Sequence, residues 1–172
     1  MTTLVTALPA RAESVRVDVR ALVEREAPSI LDYFGRRVPH ADAADLLGET
    51  LVVVWRRAAS IPADEIRARM WLFGVARRVL STHRRSAVRR VALADRLRSR
   101  LVENDQAVDA HAHDDVREAI AGLATVDREI IELVYWEGFS LEEVALVLGM
   151  RPATVRSRHA RAKARLREQL AD

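Results

Sequence analysis

The sequence predicts an all-α protein with two small helical domains that an acidic, flexible linker joins. Glycine and proline are sparse, at 6 and 5 of 172 residues, so few positions would break a helix. Apolar residues recur at helical spacing, and no segment shows the two-residue alternation of a half-buried strand. Residues 91–115 lack a convincing apolar face, and their later part, "VENDQAVDAHAHDD", is polar and acidic. This stretch divides the chain into an N-terminal tail (1–15), a first domain (16–90), the linker and a second domain (116–172).

The first domain begins with two predicted helices. Arg16–Val38 forms one helix or two, with a break near Pro28, and Asp42–Ala59 forms the next. The wide apolar face of the second helix is assigned to the core and contains Leu47, Leu51, Val54, Trp55 and Ala58. Its outward face contains Asp42, Asp45, Glu49, Val52 and Arg56. A valine among charged groups on an outward face indicates a docking surface for a protein partner.

The third predicted helix, Arg67–Val88, is strongly basic. Eight arginines and no acidic residue lie between Ile66 and Leu93. The inward face contains Trp71, Leu72, Val75, Ala76 and Val79. The remaining arc contains Arg77, Arg78, Ser81, Arg84 and Arg85. Such an arc is typical of a nucleic-acid contact, and the preceding loop, Ser60–Ile66, could hold an unstacked base.

The second domain carries the signals of a helix-turn-helix. Its predicted helices cover Val116–Leu123, Asp127–Glu137, Leu141–Leu148 and Pro152–Leu170, with turns at Gly138 and Gly149. Ser140 and Glu143 have the spacing of a capping box, so a helix should begin after Ser140. Gly149 can end that helix in a left-handed conformation, and Pro152 fits the first turn of the next one.

The last helix has one core face and one basic face lined by small residues. Val155, His159, Ala162 and Leu166 share the side assigned to the core. The opposite side presents Ser157, Ala160 and Ala164, flanked by Arg156 and Arg161. Small residues let a helix enter the DNA major groove while the flanking guanidinium groups reach guanines or phosphates. Arg151, Arg158, Lys163 and Arg165 are expected to contact phosphate or water.

Several classes of function are excluded or disfavoured by the residues. The chain has no cysteine, no glycine-rich phosphate loop and no plausible set of nucleophile, base and acid, so neither an enzyme nor a cofactor is predicted. His111 and His113 have metal-like spacing, but two histidines in an acidic linker are expected to be solvated. No export signal and no run of 18 apolar residues is found, so a cytoplasmic protein without a membrane contact is expected.

Three segments combine these features in order along the chain and read "DAADLLGETLVVVWRRA", "MWLFGVARRVLSTHRRS" and "LATVDREIIELVYWEGFSLEEVALVLGMRPATVRSRHARAKARLREQL". In this order they resemble the extracytoplasmic-function (ECF) sigma factors of bacterial RNA polymerase, within the sigma-70 superfamily. The resemblance implies that the first domain is sigma region 2 and the second is sigma region 4. It implies a factor that binds core RNA polymerase, directs promoter-specific initiation and helps to melt DNA without covalent catalysis.

The resemblance also implies roles for particular residues. The clamp helices of the polymerase beta-prime subunit would contact Asp42, Asp45, Glu49, Val52 and Arg56. The promoter's minus-10 element would contact Ser60, Ile61, Trp71, Arg77, Arg78, Ser81, Arg84 and Arg85. The minus-35 element would contact Arg151, Thr154, Arg156, Ser157, Arg158, Ala160, Arg161 and Lys163.

The remaining implications concern partners and location. Region 4 would sit on the beta flap, and the linker would follow the RNA exit path. The free protein would be a monomer in the bacterial cytoplasm, associated with the nucleoid when in holoenzyme, and an anti-sigma factor is a further partner that the family allows. Two alternatives remain open from the residues, a LuxR-type regulator and a repressor, although no receiver with strands and no dimerisation heptad is visible.

Overall fold

The protein consists of seven α-helices in the described parts of the chain, which are residues 17–98 and 114–171 of the computed structural model. The helices are α1 (Val19–Gly35), α2 (His40–Arg56), α3 (Glu65–Arg98), α4 (Asp114–Ala121), α5 (Thr125–Tyr135), α6 (Leu141–Leu148) and α7 (Pro152–Gln169), with a 3-10 turn at Ala58–Ser60. No strand occurs within these ranges. The predicted all-α class is therefore confirmed.

Helix α1 is one continuous helix, and the expected break near Pro28 was wrong. The helix begins at the side chain of Asp18, which accepts hydrogen bonds from the backbone N–H groups of Arg20 (2.9 Å) and Ala21 (3.2 Å). Pro28 lies on the exposed side, where the carbonyl of Glu24 that loses its N–H partner can be hydrated. The buried side carries Leu22, Ile30, Tyr33 and Phe34, which hold the helix in place.

Helix α2 is rotated relative to the face predicted from its apolar residues. Its buried residues are Ala43, Leu46, Thr50 and Val54, whereas Trp55 is 54% exposed. Thr50 can enter the core because its hydroxyl donates to the carbonyl of Leu46 at 2.8 Å, which satisfies the buried polar group. The assignment of Trp55 to the core was therefore wrong, because the buried face of α2 includes Thr50 and lies away from Trp55.

Helix α3 is long and passes beyond the basic segment. It has 34 residues, which corresponds to about 51 Å at 1.5 Å per residue. Leu72, Val75, Ala76 and Val79 are buried as predicted, and Trp71 packs against the core while partly exposed. The helix ends at Arg98, so it includes the first residues of the predicted linker. Residues 99–113 of that linker lie outside the described residues, and its last two residues begin α4.

The helix-turn-helix of α6 and α7 forms as the sequence signals predict. Ser140 Oγ accepts from the N–H of Glu143 at 3.2 Å, and Glu143 Oε2 accepts from the N–H of Ser140 at 2.8 Å. Gly149 ends α6 with φ +65°, and Gly138 before α6 has φ +69°. Both values lie in the left-handed region that glycine adopts without strain.

The first group of helices, α1–α3, and the second group, α4–α7, share one apolar core. Phe73 of α3 and Phe139, which precedes α6, meet edge to face with ring centroids 4.8 Å apart. Gly74 lies where α6 crosses α3, and a Cβ atom there would be 3.5 Å from the carbonyl oxygen of Val147. That distance is an ordinary van der Waals contact, so α6 packs directly against α3 at Gly74. The packing continues through Ile130, Leu133, Val144 and Val155.

Candidate nucleic-acid interface

The exposed face of α7 is the one that the sequence predicts for DNA. Val155 and Ala162 are 0% and 2% exposed and face the core, with Leu166 partly buried beside them. The predicted contact residues on the solvent side are Arg151, Thr154, Arg156, Ser157, Ala160 and Arg161, all exposed, and Arg158 and Lys163, both half-buried. The structure therefore brings these side chains together on one helix, with small residues between arginines.

Two of these arginines have acidic partners within the second group of helices. Arg156 Nη1 lies 3.1 Å from Glu142 Oε1, and both side chains are mostly exposed. Such an exposed ion pair contributes little to folding stability, so Arg156 can exchange Glu142 for a phosphate or a base. Arg158 Nη1 donates to Asp127 Oδ1 at 2.9 Å in a less exposed position, which ties α7 to α5. Sequence reasoning missed this structural partner of Arg158.

His159 occupies the core side of α7 without a full set of hydrogen bonds. Its ring stacks on Tyr135, with centroids 5.9 Å apart and an interplanar angle of 23°. Its buried Nε2 has no hydrogen-bond partner among the described residues. Burial lowers the pKa of His159 below its ordinary value of 6.5, and the nearby charge of Lys163 acts in the same direction.

The basic arc of α3 is present, but one member is turned toward α5. Arg78, Ser81, Arg84 and Arg85 are exposed, as are Ser60 and part of Ile61 in the preceding loop. Arg77 instead donates two hydrogen bonds to Glu129, from Nε to Oε1 at 2.7 Å and from Nη2 to Oε2 at 3.0 Å. This fork-like pair raises the pKa of Arg77, chiefly through the hydrogen bond.

A cavity of about 240 Å³ lies between α1, α3 and α5 beside this pair. Its lining includes four residues of the predicted minus-10 set, namely Arg77, Ser81, Arg84 and Arg85. The opposite wall includes Glu129 and Glu132 of α5. Burial raises the pKa of Glu132 above its ordinary value of 4.5, although Arg37 partly offsets this effect. Basic and acidic walls of the two helical groups thus face each other.

Arg37, which follows α1, is buried in the same region. Its side chain is 2% exposed, and it lies 3.2 Å from Glu132 Oε2 and 3.0 Å from Glu137 Oε1. It also donates to the carbonyl of Tyr33 at 2.8 Å, and its guanidinium carbon is 3.9 Å from the centre of that ring. Sequence reasoning missed Arg37, since its partners lie about 100 residues away and no local pattern marks them.

The outward face of α2 forms a mixed apolar and charged surface. Asp45, Glu49, Val52 and Arg56 are exposed there, with Val52 at 48%, and Asp42 is half-buried at the start of the helix. Trp55 adds a large exposed ring beside them. An exposed tryptophan next to a valine is a stronger sign of a protein contact than the valine alone. The signal that sequence reasoning overlooked was this tryptophan.

A second apolar surface lies on the other group of helices. A groove of about 520 Å³ runs between α4, α5 and α7. Its apolar lining contains Val116, Ile120, Ile131, Tyr135, Trp136, Leu166 and Leu170. Lys163 and Arg167 supply positive charge at its rim. The groove lies on the same group of helices as the exposed strip of α7 that is predicted to contact DNA.

Two further observations concern metals and membranes. No group of three or more metal-ligating side chains occurs in residues 17–98 and 114–171, and His111 and His113 lie outside those ranges. None of the described helices is long and apolar enough to cross a bilayer.

Comparison with protein families identifies both helical groups. The sigma-70 region 2 family matches residues 22–90, and the sigma-70 region 4 family matches residues 113–166. The chain is 32% identical over 144 residues to the ECF RNA polymerase sigma factor SigL of Mycobacterium tuberculosis, covering 81% of each protein. It is 36% identical over 139 residues to the RNA polymerase sigma-E factor of Streptomyces coelicolor, covering 78% of this chain and 76% of that protein.

Solved structures match across both groups of helices. The sigma factor RpoE of Bartonella quintana, in complex with the anti-sigma factor NepR, has a TM-score of 0.65 and 26% identity over 90% of this chain and 97% of that one. CnrH in complex with the cytosolic domain of CnrY has a TM-score of 0.60 and 26% identity, over 93% and 94%. A stand-alone regulator would not account for the region 2 match, so that alternative is not favoured. The chain belongs to the ECF sigma factors of bacterial RNA polymerase, which are transcription initiation factors and not enzymes.

Proposed function

We propose that this sigma factor binds core RNA polymerase and directs initiation at promoters through two DNA contacts, one in each helical group. The observation that carries the proposal is the exposed strip of α7, the second helix of the helix-turn-helix. In this strip Ser157 and Ala160 lie between Arg156 and Arg161. Small side chains permit close approach to base edges, and the arginines supply donors for guanine and phosphate. This strip is assigned to the minus-35 element.

The minus-10 element is assigned to the loop before α3 and the basic arc of that helix. Ser60 and Ile61 lie at the loop, and the half-buried Trp71 lies on the first part of α3. The arginines at 77, 78, 84 and 85 supply charge that would hold the separated strand against the helix. Binding to single-stranded DNA favours melting, so no catalytic group is required.

Two surfaces of the protein are assigned to contacts with core polymerase. The face of α2 around Glu49, Val52 and Trp55 combines an exposed ring with acidic groups, which fits a partially basic partner such as the beta-prime clamp helices. The groove between α4, α5 and α7 is apolar with a basic rim, which fits an amphipathic helix such as the tip of the beta flap. Either surface is also open to an anti-sigma factor, which would compete with polymerase.

The chain organisation follows from these assignments. We assign residues 16–90 and 116–172 to the two domains, and 91–115 to a linker along the RNA exit path. The protein would act as a monomer in the cytoplasm, where polymerase and promoters are found, and would join the nucleoid as part of the holoenzyme.

Run-off transcription from a bacterial promoter library tests this proposal directly. Core polymerase alone is compared with core polymerase plus the purified protein. Transcripts that depend on the protein and share two upstream sequence elements are the expected result. If the protein neither activates transcription nor co-elutes with core polymerase, the proposed function is wrong, even if the helix-turn-helix binds duplex DNA by itself.

A further inference from the structure

The cavity between α1, α3 and α5 has more positive than negative charge in its lining. Its volume is about 240 Å³, and five arginines line it together with two glutamates. Both glutamates have arginine partners, since Glu129 pairs with Arg77 and Glu132 lies 3.2 Å from Arg37. The lining keeps an excess of three positive charges, which attracts an anion. The other arginines are Arg84, Arg85 and Arg128, and the whole is named the α3–α5 cavity.

Arg37 has a donor that no described residue satisfies. Its side chain is 2% exposed, and its Nε and Nη1 atoms lie 3.2 Å from Glu132 and 3.0 Å from Glu137. Nη1 also donates to the carbonyl of Tyr33. The Nη2 atom is buried and has no hydrogen-bond partner among residues 17–98 and 114–171. A buried charged donor without an acceptor is costly, so an acceptor oxygen in the adjoining cavity would stabilise it.

Two other arginines add charge to the cavity, although their donors are already used. Arg77 makes its fork-like pair with Glu129. Arg128 donates to the carbonyls of Ile120 and Leu123 at 3.1 and 3.3 Å. These bonds fix both guanidinium groups, so the positive charge is in place before a ligand binds.

The N-terminus of α5 supplies a further group of donors. Thr125, the first residue of this helix, lines the cavity, and no side chain caps the helix N-terminus. The first N–H groups of a helix and the positive end of its dipole favour an anion. The acidic residue of the first turn, Asp127, is paired with Arg158 at 2.9 Å. Ser81 and Arg84 of α3, both exposed, add donors on the solvent side of the cavity.

The size and the donors of the cavity favour a compact, highly charged ligand. An ordered water needs only about 10–15 Å³ of such space, so the cavity is far larger than one water requires. Sites that enclose drug-sized ligands begin at about 300 Å³, which the α3–α5 cavity does not reach. Arginine and hydroxyl donors match phosphate oxygens, and two linked phosphates carry about three negative charges at pH 7. A diphosphate therefore fits both the volume and the charge.

We propose that the α3–α5 cavity binds a small diphosphate, either inorganic pyrophosphate or the diphosphate end of a nucleotide. Arg37 binds it at the buried end, Thr125 and the N-terminus of α5 bind it on one side, and Arg84 binds it on the other. The site is separate from the proposed function, since neither Arg37 nor Thr125 belongs to an assigned promoter contact. Arg84 is shared with the minus-10 set, so a bound diphosphate and promoter DNA compete for this arginine.

Calorimetric titration of the full chain with pyrophosphate tests the site. Citrate is the charge-matched control, because it carries about three negative charges at pH 7 without a phosphate group. At equal ionic strength, pyrophosphate should bind at least about tenfold more tightly than citrate or sulfate. Thermal unfolding, which a bound ligand shifts upward, is measured with the same anions. Equal affinity for the three anions, or no binding in either measurement, would overturn the proposal.

Titrations with nucleotides identify the source of the diphosphate. ADP and GDP are compared with pyrophosphate under the same conditions. Tighter binding of either nucleotide assigns the site to the end of a nucleotide, and weaker binding of both assigns it to free pyrophosphate. Either result supports a diphosphate site. Binding of AMP that is as tight as binding of ADP would reject the diphosphate as the group that is recognised.

Two arginines of α3 provide a matched pair of variants. Arg84→Gln should weaken pyrophosphate binding about tenfold, because it removes a donor and a charge from the lining. Arg78→Gln removes the same charge from an exposed position outside the lining and should change the affinity by less than about twofold. Equal weakening in the two variants would mean a general effect of charge and no site.

A negative charge placed on α5 tests the other wall. Thr125→Glu should weaken pyrophosphate binding by about tenfold or more, and an acidic residue in the first turn of a helix should leave the fold intact. The control Gln169→Glu adds the same charge at an exposed position of α7 outside the lining. Circular dichroism checks the helix content of both variants. Wild-type affinity in Thr125→Glu would contradict the site.

Binding of a single-stranded minus-10 oligonucleotide separates this proposal from the proposed function. Arg78→Gln and Arg84→Gln should both weaken oligonucleotide binding, since both residues belong to the minus-10 set, whereas only Arg84→Gln should weaken pyrophosphate binding. If neither variant affects the oligonucleotide, the promoter assignment is wrong and the diphosphate site is judged by pyrophosphate alone. If both variants affect the oligonucleotide but Arg84→Gln leaves pyrophosphate binding unchanged, the diphosphate site is wrong and the promoter assignment stands.

Discussion

At the scale of single residues, Arg77 and Arg156 hold their acidic partners in different ways. Arg77 makes a fork-like pair with Glu129, whereas Arg156 makes one exposed contact with Glu142. An exposed single contact exchanges for a phosphate or base contact at little cost, and a fork-like pair exchanges less readily. The roles of these residues in DNA binding remain predictions.

Replacement of Arg156 should show whether this residue recognises bases of the minus-35 element or only adds affinity for any DNA sequence. Arg156→Ala should weaken binding to the minus-35 element by about 1–3 kcal/mol and relax the preference at the base pair it contacts. Its pair with Glu142 is exposed, so little folding stability should be lost. Fluorescence anisotropy with duplexes of varied sequence measures both effects. The control Arg165→Ala should lower DNA affinity to the same extent for every duplex sequence. If Arg156→Ala lost polymerase binding as much as DNA binding, the assignment of Arg156 to DNA would be contradicted.

Replacement of His159 should stabilise the protein, most of all in mild acid. The pKa of His159 is lowered in the folded state, so the unfolded chain takes up a proton more readily as pH falls through about 6.5, and stability is lost there. His159→Leu removes this loss and the unsatisfied Nε2, with an expected gain of about 1 kcal/mol. Thermal unfolding at pH 5.5 and 7.5 should show the larger gain at pH 5.5; a smaller gain there would be inconsistent with a neutral histidine.

At the scale of helices, the sequence predicts where a helix begins and ends more accurately than which face of the helix is buried. The capping box at Ser140 and the left-handed Gly149 are local hydrogen-bonding and backbone requirements, and the structure has both. The face of α2 depends on which residues the neighbouring helices accept, and a hydroxyl that bonds to its own helix allowed Thr50 inside. Trp55 is therefore exposed and forms part of the surface proposed to contact core polymerase.

The α2 surface is tested by reversing one of its charges. Glu49→Lys should lower affinity for core polymerase about tenfold without changing the promoter sequences that are recognised, because the residue lies on α2 and away from the α3 arc. Co-elution with core polymerase and run-off transcription at saturating protein measure the two properties. The control Glu24→Lys reverses an exposed charge on α1, where no partner surface is assigned. Wild-type affinity in Glu49→Lys would remove this residue from the interface.

At the scale of the molecule, the sequence supports two helical groups but does not reveal how they pack. Phe73 and Phe139 are 66 positions apart, and no local pattern indicates that they meet. Gly74 likewise carries no local sign that α6 will cross it. Contacts of this kind depend on shape complementarity between distant segments, which composition and periodicity do not contain.

The shared core should make the free protein unfold cooperatively. Because Phe139 is 2% exposed and packs on Phe73, a single thermal transition is expected for the wild type. Phe139→Ala should cost about 3–5 kcal/mol and split the transition into two, since each group would then unfold separately. Calorimetry measures the number of transitions. Two transitions in the wild type itself would mean that the groups are not coupled in solution.

The chain between Arg98 and Asp114 has a consequence for how far apart the two helical groups can lie. Fifteen residues, 99–113, separate the end of α3 from the start of α4. A chain of fifteen residues spans at most about 55 Å when it is fully extended. The covalent chain therefore sets an upper limit on the distance between the end of α3 and the start of α4 on any partner.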